Sequence, residues 1–509
     1  MSVKVIPVST YPDAAGAVGR HITVGMVCGG LLVATTIVTA IIHYKLVIGL
    51  LPRELAGLWL LFWSFGSYLA FFDLGIGPTL SREIAFLTAD KNRLPAIADL
   101  AATCLRIYLG VVALLLTVAA LAGWILLPTL KLQTISSADA LLAWVLFAAG
   151  ACVNLLGNLS FSVLTGEGHV ATERLTRAFG MLLWLALSSY ALMANHGLTG
   201  LALVWLINAI IGRALAMAVL KLRVHGLSLS SGRWRSDVAR HLAHPSARWA
   251  LTQLGALLIL QTANVLIAWN LGPAAIPSYE AATRVTMAVG TIALLSTNAS
   301  VPYYSRAFAA DDITGLRSLL YRNVQQGLLT MAAAIAVLGA FAPDLFNMWL
   351  GHGNFIGYAV LMTMVVMMTL ETHHVVHASL IMASGHIPFV RIAIVAGVLN
   401  LVLSLVLVRH IGLLGIALGT MTAQMLTNNW YAPYVNLRRL GIGIGDYMRV
   451  MSSRFLGFLL MFGSIEAALA VVLHDQTASL RLVVGIGAAA VLYIALTRFL
   501  PAPQAPSGI

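Results

Sequence analysis

The chain has 509 residues, 60% of them hydrophobic and only 9% charged, with a net charge of +12. A water-soluble fold of this length needs far more polar surface, so soluble enzymes and soluble binding modules are excluded. The basic excess does not point to nucleic acid either, because it is dispersed over short connections between apolar stretches.

A helix needs about 20 apolar residues to cross a bilayer, and inside lipid its backbone groups must be satisfied within the helix itself. Taken in chain order, spans are expected near 22–45, 56–85, 97–126, 138–164, 174–194, 198–221, 248–271, 278–304, 320–342, 354–384, 388–408, 411–433, 453–473 and 480–498. The first is too long for the core of a cleaved leader and reads as a retained signal-anchor. Cys28, Cys104 and Cys152 fall inside spans and read as small buried residues. A Ser- and Arg-rich stretch from Arg223 to Arg248 separates the first six spans from the next six. It reads as a cytoplasmic linker with a short amphipathic segment at the interface. A second basic connection, Arg438 to Arg454, leads to two further spans.

The N-terminus and the even-numbered connections gather most of the 30 basic residues, including Lys4, Arg20, Arg82, Arg174, Arg233, Arg306, Arg391 and Arg439. The odd-numbered connections hold only Lys45, Arg53, Lys131, Arg409 and Arg481. Retention of positive loops on the cytoplasmic side produces this asymmetry, so both termini are expected to face the cytoplasm. The basic loops also meet anionic lipid heads.

Three motifs recur. Pro78-Thr79-Leu80-Ser81-Arg82 returns as Pro302-Tyr303-Tyr304-Ser305-Arg306, and Gly168-His169 with Arg174 returns as Gly385-His386 with Arg391. The run beginning at Gly197 returns at Gly412. Constant order and nearly constant offset indicate a duplication, and six spans per copy make the repeats parallel. The expected architecture is an all-α integral membrane protein of about 14 transmembrane helices. Two six-helix lobes form a parallel pseudo-twofold repeat, followed by two extra C-terminal helices. The domains are then 1–222 (spans 1–6), 223–247 (linker), 248–437 (spans 7–12) and 438–509 (spans 13–14 and tail). Duplicated lobes in a membrane usually belong to a transporter with its site between the repeats.

Enzyme motifs are missing. No Gly-Lys dipeptide occurs, so there is no P-loop, and neither a His-Glu-x-x-His helix nor a Gly-x-Ser-x-Gly elbow appears. No outward loop is long enough to house a catalytic domain.

The segment Ala56-Gly57-Leu58-Trp59, continuing through Phe72-Asp73-Leu74-Gly75-Ile76-Gly77-Pro78 to Ser81-Arg82-Glu83-Ile84-Ala85, resembles the second-helix signature of bacterial polysaccharide exporters. These are the O-antigen and exopolysaccharide flippases, of a superfamily that also holds multidrug exporters and lipid II flippases. Leu271-Gly272-Pro273 with Ser278-Tyr279-Glu280 resembles the opening of their eighth helix. The resemblance implies a flippase moving an undecaprenyl-diphosphate-linked oligosaccharide from the cytoplasmic to the periplasmic leaflet. It further implies alternating access, residence in the bacterial inner membrane, and polysaccharide polymerase and export proteins as partners. No cofactor is expected. Two other readings are an antiporter for organic cations, and a membrane glycosyltransferase or polymerase. The first lacks an acidic cavity here; the second lacks its large loop or cytoplasmic domain.

Charges within spans are costly, about 2.5–3.5 kcal/mol at a helix centre, and so mark function. Arg106 is expected about ten residues into span 3, or about 15 Å deep. Arg213 lies in span 6 and Arg284 in span 8, and the three would offer bidentate donors to a diphosphate. Against that, Arg213 is placed to snorkel and Arg284 to pair with Glu280. Asp73, in span 2, either pairs with Arg106, senses protons or caps a helix break beside Gly75 and Gly77. In span 10, Glu371 and His374 share one helix face and His373 and His377 another, a candidate proton relay. A third metal ligand is not evident, so no metal is expected. In lipid II flippases a sodium site lies among spans 7, 11 and 12. The matching positions here are Asn264, Asn400, Thr420 and Thr422, and spans 11 and 12 carry no carboxylate. Glu466, in span 13 and outside the repeat, reads as a packing contact or part of a lipid-facing groove.

Overall fold

A computed structural model describes residues 12–71, 73, 75–88, 93–130, 132–227, 232–237, 239–240, 261–384 and 389–499. Every described element is helical. Large apolar side chains such as Val27, Trp124 and Val483 stand exposed along the helices, as expected where the solvent is lipid. Ten helices are long and apolar enough to cross a membrane, eleven if the bent pair Pro273–Ala293 and Leu295–Ala309 counts as one span. The difference from fourteen has local causes.

In chain order the first six helices are α1 (Pro12–Leu50), α2 (Arg53–Phe71), α3 (Ile76–Leu87), α4 (Arg93–Leu126), α5 (Ser137–Gly166) and α6 (Val170–Met193). Then come α7 (Gly197–Arg223), α8 (Thr262–Leu271), α9 (Ile276–Ala293), α10 (Leu295–Ala309) and α11 (Ile313–Leu350). The chain ends with α12 (Tyr358–Met382), α13 (Val390–Leu426), α14 (Asn428–Arg439), α15 (Ile444–Val472) and α16 (Ala478–Phe499).

Span 2 is broken into α2 and α3. Gly75 adopts a left-handed φ of 73°, which costs glycine little and breaks the helix there. Span 8 bends by 40° where α9 gives way to α10. Spans 11 and 12 run together as α13, but Ile411 and Gly412 are non-helical inside it, with Gly412 at φ 59°. Ser404 Oγ lies 3.5 Å from the carbonyl of Ile416. Twelve residues of straight helix would separate those groups by about 18 Å, so the chain doubles back at Gly412. Thr427 then interrupts span 12 before α14. The upstream half of span 7, the Gly385-His386 motif and about half of the linker lie outside the described residues.

The chain divides into two compact units, Met1–Ala250 and Leu251–Ile509. In the first, α5 packs against α7, α4, α3 and α2, and α1 against α6. Its core joins Ile76, Leu80 and Ile84 of α3 to Ile97 and Tyr108 of α4 and Leu159 and Val163 of α5. In the second, α12 packs against α14, α11, α10 and α9, and α8 against α13. That is the same pairing scheme, span for span. The repeated motifs also play the same local parts. Ser81 Oγ donates to the Ser162 carbonyl at 2.9 Å, and Ser305 Oγ to the Ala383 carbonyl at 3.3 Å. Gly197 (φ 64°) and Gly412 (φ 59°) each turn the chain between the fifth and sixth spans of their unit. The last two helices belong to the second unit: α15 and α16 pack on α11 through Leu329, Ala332, Phe458, Phe462, Ala489 and Leu496.

Candidate functional site

Polar groups buried in an apolar bundle must find partners or remain charged at high cost. In the first unit the helix break provides one such partnership. Asp73 sits between α2 and α3, its carbonyl accepting from Ile76 N at 2.9 Å. Its Oδ1 accepts from the hydroxyl of Tyr108, on α4, at 2.5 Å. A Cβ at Gly77 would lie 3.5 Å from Asp73 Oδ2, so glycine there leaves room for the carboxylate. Pairing of Asp73 with Arg106 does not form. Tyr108, two residues beyond Arg106 on α4, holds the carboxylate instead, and no sequence motif marked it.

Arg106 is exposed on α4 and points elsewhere. Its Nη2 donates to the carbonyl of Gly232 in the linker at 3.3 Å. Three more bonds fasten the same piece of linker. Arg233 N donates to Asp99 Oδ1 at 2.7 Å, Arg235 N to Thr103 Oγ1 at 3.1 Å, and Thr103 Oγ1 lies 3.4 Å from the Arg233 carbonyl. Asp99, Thr103 and Arg106 recur at helical spacing, so one face of α4 grips linker backbone. Gly232 lies so close to Ala98 that no side chain fits. Arg213, on α7, is half-buried, and its Nη1 is buried with no hydrogen-bond partner.

The second unit is richer. Glu280 Oε1 accepts from Asn264 Nδ2 at 2.6 Å, and Glu280 Oε2 stands 3.5 Å from Arg284 Nε, one turn along α9. Arg284 is therefore paired as its spacing suggested, and Asn264 of the candidate ion site shares its carboxylate. Asn400 Oδ1 accepts from Ser404 Oγ at 3.2 Å, and Thr420 Oγ1 donates to the Ile416 carbonyl at 3.0 Å. Both are buried, on the two arms of α13. Thr422 is half-buried.

On α12 the histidines separate by face. His373 and His377 converge: each Nε2 lies 2.8 Å from the hydroxyl of Tyr447, at the start of α15. Asn436 Nδ2, on α14, donates to His377 Nδ1 at 3.1 Å. With that amide as donor, His377 carries its proton on Nε2 and donates to Tyr447. The tyrosine is then free to donate to His373. The result is an ordered wire through Asn436, His377, Tyr447 and His373, across three helices, with the first three buried and His373 half-buried. His374 faces away, its Nδ1 2.7 Å from the Asn428 carbonyl. Glu371 stays outside the wire, with Oε2 buried and unpartnered. Among the described residues, no three His, Cys, Asp or Glu side chains are placed to hold a metal. Neither Tyr447 nor Asn436 carried a sequence signal. Both lie in or beside the basic connection between spans 12 and 13, where hydropathy singles out neither.

No family model matches the chain, and no curated protein matches it. Solved structures do. The lipid II flippase MurJ, in an inward closed conformation, superposes with a TM-score of 0.67 at 12% identity, covering 92% of this chain and 98% of that one. An inward-facing multidrug resistance MATE family transporter of the MOP superfamily gives 0.66 at 16% identity, covering 79% and 94%. A MOP superfamily transporter from Pyrococcus furiosus gives 0.57 at 16% identity, covering 83% and 96%. The fold is the one shared by these transporter and flippase structures. The chain is a multi-pass membrane protein of that architecture.

Proposed function

We propose that the protein is a flippase that moves an undecaprenyl-diphosphate-linked oligosaccharide from the cytoplasmic to the periplasmic leaflet of a bacterial inner membrane. It works by alternating access of its two repeats and serves surface polysaccharide assembly, with both termini in the cytoplasm. One observation carries this reading over the multidrug alternative. The likeness to a lipid II flippase covers 92% of the chain, leaving a remainder shorter than α15 and α16 together. The MATE likeness covers 79%, which leaves room for both to be absent.

In this reading Arg284, Arg106 and Arg213 supply guanidinium contacts to the diphosphate along its route, and Asp73 holds the break in span 2 through Tyr108. The His373–Tyr447–His377 wire carries protons within the second unit, while Glu371 contributes a further polar group on span 10. Asn264, with Glu280, and Asn400, Thr420 and Thr422 form the candidate ion site. Membrane lipids surround the protein, and polymerase and export proteins take its product.

Reconstituted vesicles loaded with a fluorescent lipid-linked oligosaccharide test the reading. Flipping should appear with the intact protein and be lost in Arg284→Ala at unchanged protein level. Uptake of organic cations without movement of the lipid-linked sugar would establish the multidrug alternative in its place.

A further inference from the structure

Glu466 has no place in the function proposed above. It lies on α15, outside the repeat, and is 1% exposed. Both carboxyl oxygens are buried and neither has a hydrogen-bond partner. The helices packed on α15 are α11, α16 and α14. From α11 the nearest charged group is Asp344, and from α16 it is Arg481; these two pair with each other at 3.2 Å. Tyr493 of α16 lies about two turns from Gly485, and α14 meets α15 near its opposite end. Among the described residues, no cation pairs with Glu466.

The space around it is defined. A Cβ at Gly485 would fall within 3.1 Å of Glu466 Oε2 and against the ring of Phe341. Arg481 lies near the same ring, with its guanidinium carbon 5.8 Å from the ring centroid. Glu466, Gly485, Phe341, Arg481 and Asp344 thus form one layer across three helices. Glycine leaves room for the carboxyl, and the arginine of this layer pairs with Asp344 at 3.2 Å. An isolated carboxylate in such a place costs several kcal/mol, and the alternative is to bind a proton.

We propose that Glu466 is a proton-binding site. Its carboxyl takes up one proton from water as the neutral acid and exchanges it through the loop between α15 and α16. The layer lies six residues from the end of α15 and seven from the start of α16, which is about 10 Å of helix. Exposed His474 and Asp475 mark the mouth, and the Asp344–Arg481 pair stands on the way in. The far end of the bundle is more than twice as distant.

Infrared difference spectroscopy on the full-length protein in lipid nanodiscs tests this without reference to any transported substrate. At neutral pH the intact protein should show a carboxylic-acid carbonyl band that is absent from Glu466→Gln and retained in Glu371→Gln. Raising the pH should convert that band to carboxylate bands. Glu466→Gln copies the neutral acid, so its thermal stability should match the parent. Following a pH jump, Asp344→Asn should slow the conversion several-fold. A Glu466-dependent carboxylate signal already present at neutral pH overturns the site, and an unchanged exchange rate in Asp344→Asn overturns the route.

Discussion

The two units repeat one packing scheme but carry unequal chemistry. In the first, the second span is broken outright between Phe71 and Ile76, and its half-buried acid, Asp73, is answered by a single tyrosine. In the second, the equivalent span only bends, and the polar groups have multiplied. They include the Asn264–Glu280–Arg284 group, the histidine wire and the isolated Glu466. The bent span has no residue like Asp73 to place a charge at the break. The comparison teaches that duplication preserved helix-to-helix geometry while ionisable chemistry was distributed freely between the copies. Geometry depends on many small contacts, whereas a charge depends on one residue.

This contrast can be broken or sharpened by measurement. The largest effect is expected at Arg284, whose replacement by alanine should lower flipping at least about tenfold. Loss of one contact to a charged group is worth about 1.5–3 kcal/mol, and about 1.4 kcal/mol is tenfold. Flipping at the parental rate would remove the second unit's charge group from the transport path. Next come the two tyrosines. Tyr108→Phe leaves Asp73 without its donor, and Tyr447→Phe removes the hydroxyl that joins His373 to His377. Each should cost about 1.5–3 kcal/mol, read as a fall in unfolding midpoint in detergent. If Tyr447→Phe proves silent, the wire is an accident of packing.

Gly232→Leu should release the linker from α4, and the readout is faster tryptic cleavage at Arg233 and Arg235. Cleavage no faster than in the parent would show that the four backbone bonds do not hold the segment. Gly197→Ala and Gly412→Ala should each cost about 1–2 kcal/mol, since both glycines sit at positive φ. Clearly unequal losses would argue against matched turns. The smallest expected effect is at Ser81→Ala and Ser305→Ala, about 0.5–1.5 kcal/mol each and similar to one another.

Much of the architecture was legible along the chain, because a span announces itself by length and hydropathy and a bilayer permits little else. The duplication was legible too. The serine of Pro78–Arg82 and its counterpart Ser305 bond matching carbonyls, and glycine recurs wherever the same turn demands a left-handed residue. The break at Gly75 was foreshadowed by Asp73, Gly75 and Gly77 in one short run. Less legible was the partner of each buried polar group. Helical periodicity correctly put His373 beside His377, yet gave no hint that both would meet a tyrosine 70 or more residues further along. It grouped Glu371 with His374, whose ring turned instead to the Asn428 carbonyl. Arg106 was recognisable as an uneconomical charge, but its contact belongs to a linker segment 126 residues away.

The amino-acid sequence by itself determined the solvent, the number of crossings to within local breaks, and the existence of two copies. Each follows from composition or from spacing along one helix, and such local physics needs no knowledge of neighbours. Only the tertiary structure decided which buried groups are satisfied. Asp73 found Tyr108, Glu280 found Asn264 and Arg284, and Glu466 found nothing. Hydrogen bonds between helices depend on rotation and depth, and neither is written in the periodicity of a span that is apolar on every side.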